Sequence, residues 1–251
     1  MSKGLYNLGN TCYLNAAVQC LAHVPELSNS FLRNGAYEGP CELTKEYSLL
    51  VRRLWNKRIT EPIAPREFVQ CFTDKFPQFT PGRQHDTHEA VLCLIDALEK
   101  SLGLDYMKKL FYGKEEQIVT YPEGVSRQMN EFMSLYIDDL NTYSKHVIID
   151  NYEDDSGNKY NVAAIQNVIK HTPHCLTVIF GQKCPSETIP EIFQGMALFG
   201  LVVHAGVAHR GHYAAFLKHR KQWRLFDDDT VHLVDKPSAL CSMAWYKKKV
   251  E

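Results

Sequence analysis

The spacing of apolar residues changes once along this 251-residue chain, near Leu110, and that change limits the available folds more than any other feature. Before it, Leu14, Ala17, Val18 and Leu21 recur at i, i+3, i+4 and i+7, the mark of one buried helical face, and Pro25 closes the pattern. The spacing predicts a helix over residues 11–23, a second over 43–57, a short third over 65–73 and a more regular fourth over 86–101. After it, short β-branched and aromatic runs alternate with Gly, Pro, Asn and Asp, predicting strands over 117–121, 132–137 and 145–149. A strand-joining loop over 152–160 and a helical stretch over 162–170 follow, then strands over 175–180, 196–204, 212–219, 222–227 and 231–234. The expected class is α+β: a single unit over 1–251, with a helical lobe to about residue 110, a β lobe over 111–251 and no flexible linker.

Composition enters mainly by exclusion. With 45% hydrophobic and 23% charged residues, the chain has the balance of a folded globular protein. A net charge of -1 supplies no general pull toward nucleic acid or an anionic membrane. The longest apolar run, residues 196–203, falls short of the roughly 20 residues of a membrane helix and reads as a buried strand. The first residues lack the apolar stretch of a secretory signal, so a cytoplasmic or nuclear location is expected. Eight cysteines without a C-x-x-C pair predict free thiols rather than a disulfide framework or a cysteine zinc site. No metal or cofactor, and a monomer, are expected.

Cys12 stands apart from the other thiols. It falls at the start of the first helix, where Asn10 or Thr11 is placed to cap and where the helix dipole favours thiolate over thiol. Cys20 and Cys93 lie inside helical stripes and read as packing residues.

A cysteine nucleophile needs an imidazole and a group to orient it. In GHYAAFLK a glycine-containing loop, 205–211, would deliver His212 to the first position of a strand. If that strand turns around His219 and Arg220 into WRLFD, His212 faces Asp227, and a one-residue slip would bring Asp228 opposite instead. Period-2 alternation puts Asp227 on the face of Trp223 and Leu225, while Asp229 reads as exposed loop. His204 is the rival base. His85, His88 and Glu89 have the order H-x-x-H-E, which does not match the H-E-x-x-H zinc pattern.

Three stretches together resemble one family. GLYNLGNTCYLNAAVQCL is similar to the cysteine box of the ubiquitin-specific proteases, QHDTHEAVLCLID to their glutamine-containing box, and VVHAGVAHRGHYAAFLK with WRLFDDDTV to their histidine box. The resemblance implies a papain-like fold with a helical thumb, a β-rich palm and fingers, and a thiol-dependent hydrolase acting after the C-terminal glycine of ubiquitin or a ubiquitin-like protein. By the same match Cys12 is the nucleophile, His212 the base, Asp227 the orienting carboxylate, Asp228 its assistant and Asn7 an oxyanion donor. Gln84 and Asp86 would hold the ubiquitin tail, and His204, Gly211 and Tyr213 would line its channel, which removes His204 as base. The stretch from Gly113 to about Ile169 lacks the family's zinc-binding cysteines, implying short, metal-free fingers, and the loops over the tail are expected to be trimmed. Two other functions fit the same residues: a catalytically weak ubiquitin-binding scaffold and a general papain-like endopeptidase.

Overall fold

The computed structural model describes residues 3–140, 142–207, 210–219 and 221–248. Six helices come first: α1 (Cys12–Ala22), α2 (Pro25–Asn34), α3 (Glu42–Trp55), α4 (Arg66–Lys75), α5 (Thr87–Leu102) and α6 (Leu104–Phe111). Four of them follow the predicted stripes within a few residues. Pro25 does not merely end α1; it stands at the first position of α2, where its fixed φ and missing N–H suit a helix start. The eight-residue α6, beginning directly after Gly103, was likewise absent from the periodicity reading.

Twelve strands form two sheets. Strands β1 (Gly113–Tyr121), β2 (Gly124–Phe132), β4 (Val147–Glu153) and β5 (Lys159–His171) make an antiparallel four-stranded sheet in the order β2-β1-β5-β4. The helix expected over 162–170 is therefore wrong: these residues belong to β5, hydrogen-bonded on one side to β1 and on the other to β4. Two pairing partners outweigh a helical spacing that is ambiguous over so short a run. The 152–160 loop does join two strands, β4 and β5.

The larger sheet runs β11-β10-β9-β8-β12-β6-β3, with β7 (Ile192–Phe193) paired to β8. Its strands are β3 (Ser134–Ile137), β6 (Cys175–Pro185), β8 (Met196–Val207), β9 (Arg210–His219), β10 (Gln222–Asp227), β11 (Thr230–Val234) and β12 (Leu240–Lys247). β12 was not foreseen, yet it lies between β8 and β6 near the middle of the sheet. Along it Met243 and Trp245 pack with the helices, while Ala244 and Tyr246 pack into a second cluster with Leu135, Val178 and Phe216. A strand buried on both faces reads as a continuous apolar run, which also explains residues 196–203.

One core holds the helices and sheet together: Leu14, Val18 and Leu21 of α1 and Val91 and Leu94 of α5 share a buried cluster with Val202, Ala215, Leu217 and Phe226 of the sheet. The N-terminal segment is threaded into the same assembly. Leu5 bridges Ile63, and its N–H donates to the Asp228 carbonyl at 2.7 Å. No helix among the described residues is long and apolar enough to cross a membrane.

Candidate active site

α1 is buried on every side, and it presents Cys12, its first residue, to the sheet with the thiol residue only 3% exposed. Neither expected cap operates. Thr11 occupies the N-cap position without a side-chain bond to the helix, its hydroxyl instead accepting from Leu8 N–H, and Asn10 donates to the Gly82 carbonyl. The amide groups of the first turn are thus left for the sulfur: the backbone N–H groups of Tyr13 and Cys12 both favour its anion, as does that of Tyr213 from β9.

Burial works against these contacts. Burial pushes the Cys12 thiol up most strongly, the Tyr213 amide pulls it down, and the Asp228 charge pushes it up again, with the net effect upward. The helix start is thus one influence among several on this thiol, and burial is the largest of them. Alkylation of Cys12 by iodoacetamide should therefore rise with pH to a midpoint above that of an ordinary cysteine. Asp228→Asn, by removing a nearby negative charge, should lower that midpoint, as peptide mass spectrometry over a pH series would measure.

His212 and Asp227 meet, though not as the hairpin count supposed. β9 and β10 pair with Phe226 opposite Ala215 and Gln222 opposite His219, so extending the ladder puts Ala214, not His212, across from Asp227. A shift of two residues preserves the face, and His212 reaches Asp227 along the diagonal. His212 Nε2 lies 2.5 Å from Asp227 Oδ1 and 4.0 Å from Asp228 Oδ2. With Nε2 turned to the carboxylate, Nδ1 is the nitrogen left to serve a thiol.

His212 is also not at a strand start. Residues 205–207 continue β8 and β9 begins at Arg210, so the imidazole sits at the third position of a paired strand, opposite Ala205. Ala208, His209 and Arg220, on which the loop and turn readings partly rested, lie outside the described residues.

Asp228 is a structural hub. Its φ of 47° lies in the left-handed region, uncommon outside glycine, and its side chain is 11% exposed. Asn7 Nδ2 donates to its Oδ2 at 2.8 Å and Asn15 Nδ2 to its Oδ1 at 2.8 Å. Asn7 Oδ1 accepts from Gly9 N–H at 3.0 Å and Thr11 N–H at 3.1 Å, so the amide is oriented at both ends. Sequence reasoning passed over Asn15; its one signal was a polar residue in the apolar run that follows Cys12. Asp229 is exposed, as expected.

The five residues matched to the tail channel form one connected set beside Cys12. Gln84 Nε2 donates to the Gly211 carbonyl while its Oε1 accepts from Gly211 N–H, so one amide holds both backbone groups of the residue before His212. A Cβ on Gly211 would stand 2.1 Å from His204 Nε2, so glycine is required by close approach. His204 stacks on Tyr213 with ring centroids 4.3 Å apart, and Tyr213 donates to Asp86 Oδ2 at 3.2 Å. Asp86 Oδ1 caps α5 by accepting from His88 N–H at 2.7 Å. His85 packs against Tyr13 and Phe79 and His88 against Tyr136, so these two imidazoles face aromatic rings.

A thiol at the head of a buried helix, set against a strand-borne imidazole and carboxylate in an α+β frame, is the plan of a papain-like thiol hydrolase. The chain matches the model of the family described as ubiquitin carboxyl-terminal hydrolase over residues 3–188 and 107–248, and it belongs to that family. Ubiquitin carboxyl-terminal hydrolase 5 of Arabidopsis thaliana is 40% identical over 108 residues, covering 40% of this chain and 12% of that protein. Ubiquitin carboxyl-terminal hydrolase 15 of Homo sapiens is 33% identical over 109 residues, covering 40% of this chain and 11% of its own length. The matched segments are thus a small part of these curated relatives. Among solved structures, the SAGA Ubp8/Sgf11/Sus1/Sgf73 DUB module bound to ubiquitin aldehyde superposes with a TM-score of 0.75 at 20% identity. The match covers 99% of this chain and 70% of that one. The SAGA DUB module with a cysteine-to-alanine substitution in Ubp8, bound to monoubiquitin, gives a TM-score of 0.78 at 20% identity with the same coverage. These likenesses show the fold.

Proposed function

We propose that this chain is a thiol-dependent deubiquitinating hydrolase that cleaves the isopeptide or peptide bond after the C-terminal glycine of ubiquitin or a ubiquitin-like protein. The observation that carries the reading is the bond of His212 on β9 to Asp227 on β10, at 2.5 Å, with the backbone amide of Tyr213, the residue after His212, favouring the Cys12 anion. Family membership supplies the substrate class.

In the proposed reaction His212 Nδ1 takes the Cys12 proton as the sulfur attacks the glycine carbonyl, and Asp227 steadies the resulting imidazolium through Nε2–H. Asn7 and the first-turn amides hold the negative oxygen. The C–N bond then breaks, His212 gives the proton to the departing amine, and water activated by the same imidazole cleaves the thioester. Gln84, Asp86, His204, Gly211 and Tyr213 form the channel wall along which an extended Gly-Gly tail lies. The four-stranded sheet corresponds to the fingers, built without cysteine in 113–169. Residues 1–251 act as one catalytic unit, and a cytoplasmic or nuclear setting suits eight free cysteines.

Ubiquitin carrying a C-terminal electrophile should form a covalent adduct with the reduced protein at Cys12, and Cys12→Ala should form none. Binding without an adduct would instead indicate the scaffold. Digestion of unfolded proteins without turnover of a ubiquitin substrate would indicate the endopeptidase.

A further inference from the structure

We infer that Asn15 is a positioning residue that holds Asp228, and through it Asn7, in place beside Cys12. The inference takes from the proposed function only that Asn7 serves the reacting carbonyl. Asn15 lies one helical turn beyond Cys12 in α1, so both project from the same side of the helix. It is 4% exposed, a polar side chain in a helix whose every residue is buried. An amide at such a depth is tolerated only where its donors are met.

Those donors are met by groups that come together only in the folded chain. Asn15 Nδ2 reaches Asp228 Oδ1 at 2.8 Å, the Leu5 carbonyl at 3.1 Å and the Tyr6 carbonyl at 3.4 Å. One amide therefore ties three pieces: the helix that carries the nucleophile, the segment that leads to Asn7, and the turn that follows Asp227. Asp228 passes the constraint on, because its other oxygen accepts from Asn7 Nδ2 at 2.8 Å. That bond uses one of the two Asn7 N–H groups and sets the direction of the second.

Asp228 alone does not suffice for this role. It sits in the left-handed region, and its Oδ2 is 4.0 Å from His212 Nε2, beyond a hydrogen bond. Without Asn15, its carboxylate keeps the Asn7 bond and can swing toward the imidazole, drawing Asn7 Nδ2 with it while Asn7 Oδ1 stays held by Gly9 and Thr11 N–H. Asn15 prevents that rotation by holding Oδ1 on the far side.

Two variants and two readouts test the inference. In Asn15→Ala, and in Asn15→Leu, which keeps the branched shape but has no donor, the Asn7 side-chain 1H–15N resonance should move, although Asn7 and Asn15 do not bond each other. Turnover of a fluorogenic ubiquitin substrate should show kcat lower by roughly 10- to 100-fold with KM within about 3-fold, since a misdirected donor costs the transition state more than it costs binding. An unmoved Asn7 resonance in folded variants, or a kcat equal to wild type, would overturn the inference. Should neither variant fold, Asp228→Ala keeps it open to refutation, because the Asn7 and Asn15 side-chain resonances must then both move. Failure of the wild type to turn over any ubiquitin-type substrate would sink the proposed function instead, leaving the resonances to decide the positioning role.

Discussion

Replacing His212 with alanine is expected to lower kcat on a fluorogenic ubiquitin substrate by about 10²–10⁴-fold, with KM little changed, because a positioned acid–base group contributes on that scale. The ring does two jobs in the proposed cycle: it removes the Cys12 proton, and it protonates the leaving amine. A thiol already pushed upward by burial depends on that help more than a preformed thiolate would. Asp227→Asn tests the other end of the pair. The imidazole would lose the charge that steadies its protonated form, though a neutral amide oxygen can still accept from Nε2–H, so the loss should be smaller than for His212→Ala. Both side chains of the pair are 43% exposed, which lets water screen the lost charge and points the same way. Steady-state kinetics of the two variants would check this ranking; a His212→Ala enzyme that kept a tenth of wild-type kcat would remove the imidazole from the mechanism.

The second large effect is expected at Gly4, which packs against the turn that follows Asp227. A Cβ there would stand 2.2 Å from the Asp229 carbonyl oxygen and 2.3 Å from its carbon, and backbone cannot step aside as a flexible side chain can. Gly4 is held on its other side, where its carbonyl accepts from Ile63 N–H at 3.0 Å. Gly4→Ala must therefore push the 227–229 turn outward or pull the N-terminal segment off Ile63. Overpacking typically costs about 1–3 kcal/mol, and a clash met by backbone stands at the upper end, about 3 kcal/mol. In a chain of this size that corresponds to a melting temperature lower by roughly 6–12 °C. Turnover should fall as well, because Asp227 and Asp228 ride on the displaced turn. Calorimetry and kinetics on the same preparation check both, and a melting temperature within 1–2 °C of wild type, roughly the effect of half a kcal/mol, would show that the close packing is not retained in solution.

Several features of the site were legible because they are local. Cys12 at a helix start needed only the apolar spacing of the residues after it, and the presence of His212 and Asp227 on adjacent strands needed only two runs separated by a short turn. Their face was also legible, since period-2 alternation survives a two-residue error in register; the direct cross-strand pairing was not. Helix α2 was hidden by a proline that can either end or begin a helix. The run over 162–170 was misread because its spacing suits both structures and its pairing partners lie far away in the chain.

What the chain determined by itself was the division into helices and strands around residue 110 and the candidates Cys12, His212 and Asp227, since these follow from side-chain type and short-range spacing, whereas Asn7, Gln84, Asp86, Gly211 and Tyr213 were reached only through the family resemblance. Only the tertiary structure decided the sheet order, the diagonal meeting of imidazole and carboxylate, the burial that raises the Cys12 thiol, and the amide bridge from Asn15 through Asp228 to Asn7. Those depend on distance and solvent exclusion between segments more than two hundred residues apart, which no local pattern encodes.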